Sequence, residues 1–202
     1  MAAYLIFMIP ALLLSLWASF RTKSAFNKYQ KLRTARGLTG AQAAHEMLQR
    51  AGIVDVKIVQ SHGFLSDHYN PVNKTLALSD PVYDSDSVAA IGVATHEAGH
   101  AIQHARHYAP LWVRSALVPT ANIGSSIGYM VMLFGLFLNM TNMVLIGAIL
   151  FSAVLLFQVV TLPVEFNASS RAKALVVQHG IVTMQERRGV DAVLNAAALT
   201  YV

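Results

Sequence analysis

The sequence predicts a mainly α integral membrane protein, with three transmembrane helices (one N-terminal and two in a helical hairpin) and a small α+β domain. Three observations lead there. The 202 residues are 55% hydrophobic and only 12% charged, with a mean hydropathy of +0.48, which is too apolar for an ordinary soluble domain. Residues 1–20 and 115–164 contain no charged side chain. The stretch between them has ordinary soluble composition and the mixed periodicity of short helices and strands. The expected segments are 1–20, an N-terminal span; 21–119, a basic linker and the α+β domain; 120–164, the hairpin; and 165–202, a C-terminal helical segment.

Residues 1–20 (MAAYLIFMIPALLLSLWASF) suffice as one helix to cross the ~30 Å hydrocarbon core. The stretch lacks a basic start and an A-x-A-like cleavage site, so it reads as an uncleaved anchor. The next sixteen residues, RTKSAFNKYQKLRTAR, hold six Lys or Arg and no acid. Beside a span, such a run reads as a headgroup anchor on the cytoplasmic side, with the N-terminus outside. It also accounts for most of the +5 net charge, which is therefore no argument for nucleic acid.

Thr39 is placed to cap a helix over GAQAAHEMLQRAG, with Gly52 after its end. Val54, Val56 and Ile58 alternate as a short strand. Residues 64–69 and 75–78 flank the turn signal NPVN and predict a hairpin. Ser85 or Ser87 is expected to cap the following helix, which carries VATHEAGHAIQH. Residues 115–164 would make a helix of roughly 75 Å, so they must fold back, and the polar NMTN at 139–142 is the natural bend. Pro163 is expected to end or kink the last span. Beyond it, two helices broken at His179 and Gly180 close the chain, and the final AVLNAAALTYV is too short by itself to span.

The chemistry lies in HEAGH. His96 and His100 are four apart on a helix and share a face, so both imidazoles can reach one ion. Glu97 lies beside that face, where its carboxylate can take a proton from water activated by the metal and return it to a leaving amine. The small Ala98, Gly99 and Ala101 leave the helix thin enough for close packing. With no cysteine in the chain, a third ligand must be His, Asp or Glu. Glu165, in LPVEFNASSRA, follows two crossings that return the chain to the membrane face bearing the motif; a capping or interfacial carboxylate is its alternative role. His104, His107, His45 and His62 read as surface or outer histidines, and His68 as a weaker candidate for substrate binding or transition-state stabilisation. Arg114, just before the hairpin, is placed either to bind a substrate carboxylate or to reach lipid headgroups.

In order along the chain, DHYNP, LALSDPVY, GVATHEAGHAIQH, YAPLWVRS, TLPVEFNASSRA and AVLNAAALTY resemble the YugP-type bacterial membrane zinc metallopeptidases. These belong to the neutral zinc metallopeptidases and are distantly similar to the HtpX and Ste24 glutamate-zincins. The resemblance implies a zincin-like domain holding one Zn2+ per chain on His96, His100 and Glu165, with Glu97 as catalytic base. The HtpX and Ste24 peptidases pair the ligand glutamate with an aspartate four residues on, which orients a ligand histidine. Here that place is Ser169, so the support behind the ligand histidine is either weaker or supplied elsewhere, with Asn167 or one of Asp67, Asp80, Asp84 and Asp86 as candidate substitutes.

The function expected is a membrane-embedded zinc endopeptidase acting on polypeptide or membrane-protein substrates. Its location is the plasma or inner membrane, with the catalytic domain on the cytoplasmic side and the hairpin strand aligning extended substrate. Its partners are the substrate and the lipid bilayer, not nucleic acid, and an oligomer is left open. The alternative is a non-catalytic, zinc-stabilised membrane scaffold or adaptor, against which Glu97 argues, since a structural site needs no base. A transporter or channel is disfavoured because the spans carry no ionisable residue.

Overall fold

Nothing in RTKSAFNKY breaks a helix, and α1 (Ala2–Tyr29) accordingly continues past the apolar tract through the first part of the basic run. The computed structural model describes residues 2–63 and 66–201, with side chains from residue 9 onward. It divides into two units, Met1–Arg106 with Phe166–Val202, and His107–Glu165.

In the first unit, Thr39 starts α2 (Gly40–Arg50) with a reciprocal capping box. Its side chain accepts from the Gln42 N–H, and the Gln42 side chain accepts from the Thr39 N–H. Gly52, at φ +77°, turns the chain after it. The strand expected at Val54 begins later, as β1 (Lys57–Ser61). Ile53 is buried but Val54 is 86% exposed, so the apolar residues just after the helix pack individually rather than in a ladder. β2 (His68–Asn70) and β3 (Thr75–Ser79) are antiparallel, while β1 lies parallel to β3, giving the order β1-β3-β2. Residues 64 and 65 of the expected hairpin lie outside the described residues. The central strand holds the sheet's buried residues, Leu76, Ala77, Leu78 and Ser79, and the two leucines each contribute about 1.5–3 kcal/mol by leaving water.

After the short α3 (Asp80–Tyr83), Ser87 caps α4 (Val88–Ala105) by accepting from the Ala90 N–H. Helix α4 is the axis of this unit. Ala89, Ala90, Ile91, Ala94 and Ala98 are fully buried within a core shared with Met47 and Leu48 of α2. The small size of the four alanines allows several elements to approach one helix.

The second unit begins with α5 (Ala109–Ile123), where Pro110 in the first turn is pre-set for helix. The helix therefore starts well before the expected boundary at 119 and passes through Pro119. One π-helical turn, Gly124–Gly128, leads to α6 (Tyr129–Phe137). Asn139 adopts φ +55° in the turn that follows, a conformation asparagine tolerates, and α7 (Thr141–Gln178) then runs for 38 residues. A side chain at Gly147 would put its Cβ 2.5 Å from the Met132 nitrogen, so the hairpin closes only because that position is bare. Pro163 does not end the helix. Helix α7 continues unbroken past Glu165 into residues 166–178 of the first unit.

Gly180, at φ +62°, ends α7, and Thr183 opens α8 (Met184–Ala198) with a second capping box, closed by Glu186. Val190 and Leu194 of α8 join the core, and Thr22 of α1 donates to the Ala196 carbonyl at 2.8 Å.

Among the described residues two helical stretches, Ala109–Phe137 and Thr141–Gln178, are long and apolar enough to cross a membrane. Their apolar side chains point outward, with Phe137 84% and Leu155 67% exposed. The N-terminal span expected over 1–20 is not among them and falls partly on residues 1–8, whose side chains lie outside the described residues. In the rest of that stretch Leu12, Leu13, Leu16 and Phe20 are exposed.

Candidate metal centre

Helical spacing alone turns His96 and His100 the same way, with ring centroids 4.8 Å apart and planes at 85°. The third group depends on packing. A Cβ at Gly99 would lie 2.7 Å from the Ala168 carbonyl oxygen, so the bare glycine lets α7 lie directly on α4. Ala168 and Ser169 are seated by that approach, and Glu165 is one helical turn before Ser169 on the same unbroken helix. One ligand atom from each of His96, His100 and Glu165 lies within 4.8 Å of the others. His100 and Glu165 are buried, at 6% and 3% exposure, and His96 is half-buried.

A buried carboxylate beside two imidazoles requires positive charge. Arg114 of α5 supplies part of it, its guanidinium 3.5 Å from Glu165 Oε1. Neither of the roles expected for Arg114 described this contact. Two nitrogens and one oxygen match the protein donors of a catalytic zinc site, so these residues fit that metal.

Each imidazole is also held from behind. Ser169 Oγ lies 3.1 Å from His96 Nδ1, so the residue standing in the aspartate position reaches the histidine. Gln103 Oε1 lies 3.0 Å from His100 Nδ1. Gln103 Nε2 in turn donates to Asn167 Oδ1 at 3.0 Å, and Arg171 Nε donates to the same oxygen at 2.7 Å. Sequence reasoning named Ser169 and Asn167 but missed Gln103 and Arg171. The signal was present: Gln103 is three residues after His100, and Arg171 four after Asn167, both same-face spacings on a helix.

The remaining candidates lie elsewhere. His68 is exposed on β2, its Nδ1 2.8 Å from the Ser66 carbonyl oxygen. His104 meets the Tyr69 hydroxyl at 2.8 Å. Burial, with the Asp55 carboxylate nearby, pushes that phenol up to about 12, so it stays protonated at neutral pH. His62 pairs with Asp80, and His45 and His107 are exposed. Of the acids expected as substitutes, Asp67 holds Ser79, Asp80 also accepts from Gln60, Asp86 pairs with Arg33, and Asp84 is exposed. Glu97 is half-buried on α4, directly after His96.

His96 and His100 on one helix, with Glu165 from a later helix beside them, make a group that could hold a metal ion. The chain belongs to the family described as "Putative neutral zinc metallopeptidase", whose pattern matches residues 4–202. Among curated proteins it is 47% identical to "Putative membrane protease YugP" of Bacillus subtilis (strain 168), over 96% of this chain and 86% of that one. No solved structure matches it.

Proposed function

We propose that the protein is a membrane-embedded, zinc-dependent endopeptidase. The observation that carries this reading is the convergence of His96, His100 and Glu165 within 4.8 Å, with Glu97 next to the first of them in the chain. His96, His100 and Glu165 would hold one Zn2+. When bound, the ion supplies Lewis acidity, lowering the pKa of water toward about 7 and polarising a carbonyl. Glu97 accepts a proton from the attacking water and returns it to the leaving amine. Arg114 holds the Glu165 carboxylate, and the edge strand β2 lines up extended substrate by strand addition. The two apolar stretches, together with residues 1–20, would anchor the chain as three spans in the plasma or inner membrane. The six basic residues after position 20 favour the cytoplasm for the site.

The test compares wild type with Glu97→Gln for bound zinc and for cleavage of an unstructured polypeptide. Equal zinc with cleavage reduced at least about 100-fold is expected, the scale of losing a general base. Equal zinc and equal cleavage would refute the role of Glu97. Zinc without cleavage by either protein would favour the scaffold.

A further inference from the structure

The chain of side chains behind His100 has a property that the Ser169 hydroxyl behind His96 lacks. Gln103 and Asn167 each carry a carbonyl oxygen and an NH2 group, and either could face either way. Arg171 cannot reverse, because a guanidinium only donates. Its Nε lies 2.7 Å from Asn167, so Asn167 must present oxygen there. That same oxygen receives Gln103 Nε2 at 3.0 Å, which leaves Gln103 to offer its carbonyl oxygen to His100 Nδ1 at 3.0 Å. A carbonyl accepts only, so Nδ1 must carry the proton. Nε2 is then the unprotonated nitrogen, the one able to ligate a metal.

We infer that Arg171, through Asn167 and Gln103, sets the tautomer of His100 and so prepares Nε2 for zinc. The inference rests on the proposed zinc site for its purpose but not for its geometry. Gln103 is fully buried, so water does not compete for the middle of the relay. His96 has no such determinant in Ser169, since a hydroxyl donates or accepts as required. Arg171, Asn167 and Gln103 are thus positioning residues: they act on a ligand from behind.

The test uses the full chain in detergent, metal-free, with 15N-labelled histidine, at a pH of about 8 where imidazole is neutral. Side-chain 15N shifts should show His100 protonated at Nδ1 in wild type and in mixed tautomers in Arg171→Met. Zinc affinity is then measured by competition with a chromogenic chelator. Arg171→Met should weaken it about 10-fold, and Gln103→Met by roughly 10–100-fold, the range seen when outer partners of ligands are lost. In the Gln103→Met background, Arg171→Met should add nothing, because the relay is already cut. Arg171→Met lies at a half-buried site and serves if Gln103→Met does not fold. A wild-type His100 protonated at Nε2, or an unchanged tautomer in Arg171→Met, overturns the relay. The expected tautomers without zinc binding would instead refute the zinc site and leave the relay standing.

Discussion

Replacing Gly99 by alanine tests how the metal centre is assembled, because a single methyl group enters a place where the backbone of α7 lies against α4. The added Cβ would lie 2.7 Å from the Ala168 carbonyl oxygen, where ordinary contact begins at 3.4 Å. The two helices must therefore separate by about 0.7 Å, a strain of the kind that costs about 1–3 kcal/mol in a packed core. Ser169, beside Ala168, moves with α7, and Glu165 is carried on the same rigid helix. A displacement of that size exceeds the ~0.5 Å tolerance of a working site and approaches the 1 Å that costs about 100-fold. Gly99→Ala should therefore weaken zinc binding and cleavage by about 10–100-fold, while thermal unfolding still shows a cooperative, folded protein. The obstacle is a backbone oxygen, so adding Ala168→Gly should not restore function. The assays are chelator competition for zinc and circular dichroism for folding. Wild-type zinc affinity in Gly99→Ala would refute the claim that this close approach sets the ligand geometry.

Two further predictions address the third ligand and the orientation. Glu165→Ala should cut zinc affinity by at least about 100-fold and leave Arg114 facing no carboxylate; unchanged affinity by the same competition assay would remove Glu165 from the site. Lys74→Cys places one reactive thiol on an exposed turn of a chain that has no cysteine of its own. It should resist an impermeant maleimide in intact cells and react after lysis, and labelling from outside would reverse the cytoplasmic placement.

Particular residues show where sequence reasoning reaches and where it stops. Thr39 announced its helix because capping is a contact within four residues, and Ser87 was one of two serines offered for the motif helix on the same ground. Asn139 marked a turn because fifty uncharged residues have nowhere else to bend. The strand starting at Lys57 rather than Val54 was not legible, since only the tertiary core decides that Ile53 is buried and Val54 is not. Nor was the passage of α7 through Pro163, which lies inside the 38-residue helix without ending it.

By itself the sequence determined the family resemblance, the pairing of His96 with His100, and the placing of Glu97 beside them, because helical periodicity converts a four-residue spacing into a shared face. Only the tertiary structure decided what stands behind each histidine. Gln103, Asn167 and Arg171 meet across two helices whose approach depends on one missing side chain at Gly99, and a contact between residues 64 positions apart leaves no periodicity to read.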